Sequence, residues 1–383
     1  MLEKALTGSK KYWLAILLLG LIIVAGLYSY LKQLNEGLVI TGMSRDVSWG
    51  LYIAQFTFFV GVAASAVTVV LPYYLHDYKV FSKITILGEF LAISSVLVCL
   101  TFIFVDMGMP FRIFNVILYP APTSPMFWDT VALSGYLLLN IIIGWVTLGA
   151  ERKKIAPPAW IRPIIYISIP WAISIHTVTA FIYAGLPDRH LWLSAIIAAR
   201  FLASAFASGP SLLIIFCLIM EKYTGFKPGR EPVRALSLIV TYAFSANIFF
   251  ILLELFTTFY SGIPAYNHSL VYLFTGLDGH RALVSPMWIS SILAILSLAV
   301  LLIPALRKNT FLSIFAAIGV IVSIWIDKGF GFVPAGFVPN PMNKVTEYAP
   351  TLSELMISAG VLGVGLLVLL ILYKITISVR EEV

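Results

Sequence analysis

Charge is scarce in this sequence. Of its 383 residues only 11% are Asp, Glu, Lys or Arg, whereas 60% are hydrophobic, and the mean hydropathy is +0.97. A soluble domain cannot bury that much apolar sequence, so the composition excludes a soluble globular chain and describes a polytopic membrane protein. Cysteine is nearly absent: Cys99 and Cys217 both lie inside apolar runs. Two thiols are too few for an iron–sulfur cluster, no C-x-x-C-H haem attachment site occurs, and both are read as packing residues. Histidine is sparse as well. His76, His190, His268 and His280 fall in loops or at the ends of apolar runs, leaving His176 without a second axial histidine at its depth. No haem, iron–sulfur or metal site is therefore expected in this chain, and metal transport is disfavoured for want of clustered imidazole or soft ligands. The net charge of +7 would suit a nucleic-acid partner in a soluble protein. In a membrane protein it reflects basic residues gathered in cytoplasmic loops, and no nucleic acid is expected.

What is present is long apolar runs. Ten of them, near 12–31, 49–75, 84–106, 127–149, 161–186, 191–220, 234–260, 286–305, 310–327 and 353–374, are long enough to cross a hydrocarbon layer of ~30 Å. The first follows Lys10 and Lys11, is long, and is not followed by an A-x-A-like cleavage site, so it reads as a retained helix. With the N-terminus inside, 17 basic residues fall in inside segments and seven in outside segments, with Arg200 within a span. That asymmetry predicts both termini on the cytoplasmic side of the cytoplasmic (inner) membrane. The fold expected is an all-α polytopic membrane protein of ten transmembrane helices.

The fourth span opens with SPMFWDTVALSGYLLL and the eighth with SPMWISSILAILSLAV; the second carries GVAASA (61–66) and the sixth SAFASG (204–209). Small-residue patches of that kind permit close helix approach. Pairing span 2 with 6 and span 4 with 8 gives two four-helix bundles of the same orientation, spans 2–5 and spans 6–9, with spans 1 and 10 as additional helices. The corresponding divisions are 1–48, 49–186, 187–327 and 328–383. The two longest connections, 261–286 and 328–350, are rich in Gly, Pro and aromatics and lie on the outside. They read either as solvated caps or as a docking platform for an extracytoplasmic partner.

Ionisable residues at membrane depth are functional candidates by default. The deep ones are Glu89, His176, Arg200 and Glu254, while Asp106, Asp129 and Asp327 sit at outer span ends. Arg200 and Glu254 suit an ion pair in the second bundle. Glu89 either snorkels to the nearby cytoplasmic interface or begins a polar path toward His176. The outer half of the first bundle collects Trp49, Tyr52, Gln55, Asp106, Trp128, Asp129, Tyr136, His176 and Tyr183. Tyr52 and Gln55, three apart, share a helix face, as do His176 and Tyr183, seven apart. Trp128 reads as an interface anchor. The others place hydrogen-bonding and proton-carrying groups around an apolar interior, which a lipid-soluble substrate with carbonyl or hydroxyl ends requires. His176 and Asp106 are the candidate proton-handling residues; Trp49, Tyr52, Gln55, Asp129, Tyr136 and Tyr183 are the candidate binding residues. The alternative for His176 is a core imidazole bonded to Ser or Thr hydroxyls.

WGLYIAQFTFFVGVAAS (49–65), FVDMGMPFR (104–112), SIHTVTAFIYA (174–184) and AARFLASAFASGP (198–210) resemble the NrfD/PsrC family of quinone-interacting membrane subunits. The ten-span layout and the tail WIDKGFGFVPAGFVPNPMNKVTEYAPTLSE (325–354) look most like its DsrP/HmeB (Hdr-like menaquinol oxidoreductase) and HybB branch. The resemblance implies a subunit without its own redox cofactor that binds menaquinol or menaquinone near the outer face. It also implies electron exchange with a ferredoxin-like iron–sulfur subunit docked outside, with multihaem cytochrome c and haem b/Hdr-like subunits in the same complex. The family's D-x-G-x-P motif is kept as DMGMP, with Met109 where Arg is common and Arg112 close by. The alternatives from other classes are a secondary transporter with parallel four-helix repeats and a purely structural anchor.

Overall fold

The computed structural model describes residues 1–382. Among these residues ten helices are long and apolar enough to cross a membrane: Lys10–Glu36, Leu51–Leu75, Thr85–Asp106, Pro125–Arg152, Ile161–Ala184, Ile197–Tyr223, Arg230–Ser261, Val284–Leu302, Thr310–Ala335 and Leu352–Glu381. They are numbered here as spans 1–10. Hydrocarbon offers no partner for backbone N–H and C=O, so each span satisfies its own ladder as helix. Apart from an isolated bridge between Leu277 and His280, the described residues hold no strand. The chain is therefore an all-α multi-pass membrane protein. An even number of spans brings both ends to one face, called proximal; the opposite face is distal.

Local sequence explains several helix starts. Pro125 takes the first helical position of span 4, where its missing N–H costs nothing. Asn309 caps span 9 by accepting from the backbone N–H of Phe311 at 3.0 Å and Leu312 at 3.2 Å. Span 10 begins on a capping box: Thr351 N donates to Glu354 Oε2 at 2.8 Å, and Glu354 N donates to Thr351 Oγ1 at 3.3 Å.

Spans 2, 3, 4 and 5 pack in a ring, each against the next and 5 back against 2; spans 6, 7, 8 and 9 form a second ring with the same order of neighbours. Spans 1 and 10 pair with each other, and span 10 lies along span 3. Two contacts fasten it there, Ser94 Oγ to Gly365 O at 2.6 Å and Tyr373 OH to Leu87 O at 2.9 Å. The rings meet along spans 2 and 6, where the two small-residue patches oppose each other. A Cβ on Gly209 would stand 2.6 Å from Ser65 Cβ, and one on Gly61 would stand 3.6 Å from Ala205 Cα. Close approach of this kind needs small residues because dispersion contact, not the hydrophobic effect, joins helices in lipid. Span 2 is consequently the most enclosed helix, 89% buried over its most apolar window, against 6% for span 1.

Several boundaries differ from the sequence reading. Span 6 starts at Ile197 rather than 191, because Leu191 and Trp192 fold inward as a buried turn. Span 9 runs to Ala335 rather than 327, passing through a π-helical turn at Trp325–Gly331. That turn carries Lys328 into the protein at 3% exposure, so Lys328 does not belong with the outside loop residues and that group falls to six. The expected loop 328–350 is largely interior: Phe332 to Val338 are all buried, and the exposed positions are Pro341–Lys344, Glu347 and Ala349. The 261–286 connection contains a helix, Pro264–Phe274, that buries Leu270, Tyr272 and Leu273. Apolar side chains in both segments found core partners that hydropathy windows do not register.

Candidate functional site

The residues expected to form one site fall into two neighbouring groups. The first lies at the distal ends of spans 1, 2, 3 and 10. Tyr52, fully buried, donates its OH to Gln33 Oε1 at 2.7 Å, and Gln33 Nε2 donates to the Val105 carbonyl at 2.6 Å. Asp106, the last residue of span 3, is close enough to Tyr52 to interact electrostatically. Its Oδ1 is buried and meets no hydrogen-bond donor among the described residues; the same is true of Tyr30 OH. Beyond Asp106 the chain is open, with Met109 at 64% and Phe111 at 80% exposure.

Glu354 closes this group from the distal side. Fully buried, it accepts from Gly42 N at 2.7 Å, Tyr348 OH at 2.7 Å and Thr351 N at 2.8 Å. Tyr348 passes the network on by accepting from Leu51 N at 2.7 Å. Burial first, and then the Glu354 carboxylate, push the Tyr348 phenol well above its usual value, so it stays a neutral donor.

The second group occupies the interior of the first ring. Asp129 accepts from Thr179 Oγ1 at 2.7 Å. The Tyr183 and Thr57 hydroxyls bond each other. Asp129 and Asp106 both lie within electrostatic reach of Tyr183, which links the two groups. Trp49 covers Tyr183 edge-on at 5.6 Å and stacks on Trp192 at 5.6 Å. His176 is fully buried here, and neither ring nitrogen has a hydrogen-bond partner among the described residues. The Ser or Thr contacts that would make it an ordinary core histidine do not form.

Lys328 faces the same interior. Its Nζ lies 4.3 Å from the centre of the Phe201 ring and against Gly61, without a hydrogen-bond partner among the described residues. The π-turn accounts for its position, since one extra residue per turn rotates the side chain inward from what would otherwise be a loop-facing register.

One sequence expectation fails on direction. Tyr52 and Gln55 point to different neighbours: Tyr52 turns to span 1, while Gln55 Oε1 accepts from Trp325 Nε1 at 3.0 Å on span 9. Tyr136, 1% exposed, lies within electrostatic reach of Glu89. Glu89 itself does not snorkel. It is 1% exposed, lies against Gly144 of span 4, and both carboxylate oxygens are buried without a donor among the described residues. Trp128 behaves as expected at an interface, 50% exposed and bonded to the Pro122 carbonyl.

In the second ring the expected Arg200–Glu254 pair forms, and Asp327 joins it. Arg200 Nη2 donates to both Asp327 oxygens at 2.7 and 2.8 Å. Gln33, Lys328, Thr57, Thr179 and Glu354 escaped the sequence reading. Of these only Glu354 carried a local signal, the T-x-x-E capping box.

A buried acid and imidazole without partners, beside an acid–hydroxyl pair and a phenol, in the distal half of a membrane-embedded ring, suit a proton-releasing apolar substrate. The sequence comparison agrees in kind. The profile described as "Polysulphide reductase, NrfD" matches residues 39–334. The chain belongs to the NrfD family. Curated relatives align over nearly the whole chain. A putative membrane subunit of dimethyl sulfoxide reductase from Halobacterium salinarum is 25% identical, covering 94% of this chain and 89% of the relative. A selenate reductase subunit from Mesobacillus selenatarsenatis is 24% identical, covering 96% and 93%. The Hdr-like menaquinol oxidoreductase integral membrane subunit from Archaeoglobus fulgidus is 22% identical, covering 98% and 95%. The last is of the type to which the sequence resemblance pointed.

Proposed function

We propose that this NrfD-family chain is the menaquinol- or menaquinone-reacting membrane subunit of a respiratory oxidoreductase complex in the cytoplasmic membrane. The proximal face and both termini are cytoplasmic, and the distal face is extracytoplasmic. The observation that carries this reading is the set of proton-handling groups without internal partners in the distal half of the first ring: His176 with both nitrogens free and Asp106 with a free Oδ1. An isolated polar group in hydrocarbon is costly, so a substrate hydroxyl or carbonyl is a fitting partner for each. A bound quinol supplies two electrons and two protons to the reaction.

The chain's own residues do the rest. His176 accepts a proton at a ring nitrogen from the quinol hydroxyl that it bonds. Asp106, at the distal end of span 3, receives a proton closer to the outside. Tyr183 and Asp129, held by Thr57 and Thr179, orient the head group, while Trp49 and Trp192 exclude water above it. Electrons pass to a ferredoxin-like iron–sulfur subunit docked on the distal face, with multihaem cytochrome c and haem b/Hdr-like subunits in the same assembly. The exposed remnants of the two distal connections, around 275–282 and 341–347, are the docking surface on this chain. His176→Ala and Asp106→Asn test the site in the purified complex. Each is expected to lower quinol turnover by at least tenfold while leaving the make-up of the complex intact. Unchanged turnover and inhibitor binding in both variants overturns the assignment.

One observation favours the other class, a secondary transporter with parallel repeats. Lys328 Nζ, Ser65 Oγ and Ser208 Oγ are buried without partners at the seam between the rings, where repeat transporters hold solute. Solute flux by the isolated chain in liposomes decides for that class. Co-purification with iron–sulfur and haem subunits decides for the first.

A further inference from the structure

The second ring holds a cavity that the proposed site does not use. It measures about 490 Å³ and lies between spans 7, 8 and 9, with the short helix Pro264–Phe274 at its distal end. Its volume falls in the range of ligand pockets, roughly 300–1,000 Å³. The mouth opens sideways to the bilayer between side chains that face lipid: Leu252 at 58%, Trp288 at 51% and Ile295 at 67% exposure. An apolar pocket with such a mouth fills from the lipid phase.

Its floor is polar. Asn247 is 1% exposed and lines the cavity, and its Oδ1 has no hydrogen-bond partner among the described residues. The neighbouring Ser291 hydroxyl donates to Met287 O at 2.9 Å and keeps its acceptor side open. Asp327 borders the distal part of the cavity, held there by Arg200.

Depth decides what enters. Span 7 has 32 residues, about 48 Å at 1.5 Å per residue, and Asn247, 14 residues before Ser261, lies close to its midpoint. A helix of that length overhangs a hydrocarbon layer of about 30 Å, so its midpoint lies near the middle of the layer. Phospholipid esters and head groups stay at the interface, so a phospholipid brings only methylenes to this amide. A buried amide without a partner calls for a ligand carrying its hydrogen-bonding group into the hydrocarbon interior. A neutral quinone ring on an isoprenoid chain does so. Its carbonyl accepts from the Asn247 amide N–H₂, and its reduced hydroxyl donates to Asn247 Oδ1, so one side chain serves both redox states.

We infer that the second ring carries a separate quinone/quinol-binding pocket, entered laterally from the bilayer, with Asn247 as its head-group partner. This rests on the reading of the chain as a quinone-reacting subunit but places a second molecule away from His176 and Asp106.

The test uses the intact complex in nanodiscs of stated phospholipid composition and a photoreactive azido-naphthoquinone bearing an isoprenoid tail. Cross-linked peptides are identified by mass spectrometry. Labelling of 244–259 and 287–295, displaced by excess menaquinone, is expected. Asn247→Leu should weaken it about fivefold, the worth of about one hydrogen bond. Ala294→Trp, which fills the cavity wall, should abolish it, and it decides the matter if the first variant fails to assemble. Labelling around His176 and quinol turnover should be unchanged in both. Absent labelling of these peptides, or labelling that survives both variants, overturns the pocket, as does displacement by added phospholipid alone, which marks an acyl-chain site. Failure of the main functional reading is distinct: turnover and labelling around His176 are then missing in the unsubstituted complex as well.

Discussion

Replacing Arg200 by Gln removes the cation held between buried Glu254 and largely enclosed Asp327. Arg200 is 8% exposed and Glu254 9%, and Asp327 is bonded to Arg200 through both oxygens at 2.7 and 2.8 Å. Breaking a buried ion pair by removing one partner costs about 3–5 kcal/mol, because the survivor keeps its desolvation penalty without its counter-charge. Here two survivors face each other, so the upper end of that range is expected. At about 2–4 °C per kcal/mol for a unit the size of one four-helix ring, Tm should fall by roughly 10–20 °C. Thermal unfolding of the detergent-solubilised protein, followed by loss of the monodisperse chromatographic peak, measures it. The reasoning also predicts rescue. Glu254→Gln with Asp327→Asn in the Arg200→Gln background removes the unpaired charges and should restore more than half of the loss. A single variant melting within 2 °C of the unsubstituted protein, or a triple variant no better than the single, refutes the account.

Orientation is checked by Lys227→Cys and Met342→Cys, both at exposed positions. An impermeant maleimide added to intact cells should label residue 342, and residue 227 only after permeabilisation. Glu354→Ala should destabilise by about 3 kcal/mol, since three donors, Gly42 N, Thr351 N and the buried Tyr348 OH, lose their acceptor at about 1 kcal/mol each; a melting change under 2 °C counts against the clamp. On the distal face Glu347 accepts from Ala282 N at 2.9 Å and pairs with His280 at 3.5 Å. Burial raises its pKa, but the Ala282 amide and His280 outweigh burial and hold it below the ordinary glutamate range. A depressed carboxylate stabilises above its unfolded pKa and loses that contribution as pH falls through the folded value. The clasp between the two distal connections should therefore open below about pH 4, read as new pepsin cleavage within 277–283. Equal cleavage of Glu347→Gln and the unsubstituted protein at that pH is the expected control, and a difference refutes the clasp.

The sequence by itself determined the solvent and the number of spans. Both follow from apolar run length against bilayer thickness, a local property of the chain. The paired charges Arg200 and Glu254 were legible for the same reason, since an ion at membrane depth needs a partner. Tertiary structure decided where the side chains point. Helical spacing placed Tyr52 and Gln55 on one face, yet their partners Gln33 and Trp325 lie on opposite neighbours. Lys328 reads as a loop lysine until a π-turn and the close approach of span 9 to span 2 take it inside. Asp327 joins Arg200, and Asn247 Oδ1 meets no partner among the described residues, because of the distances between helices far apart in sequence. Hydrogen bonds act over about 3 Å, and only the packing of whole helices brings residues 200 and 327, or 33 and 52, within that reach.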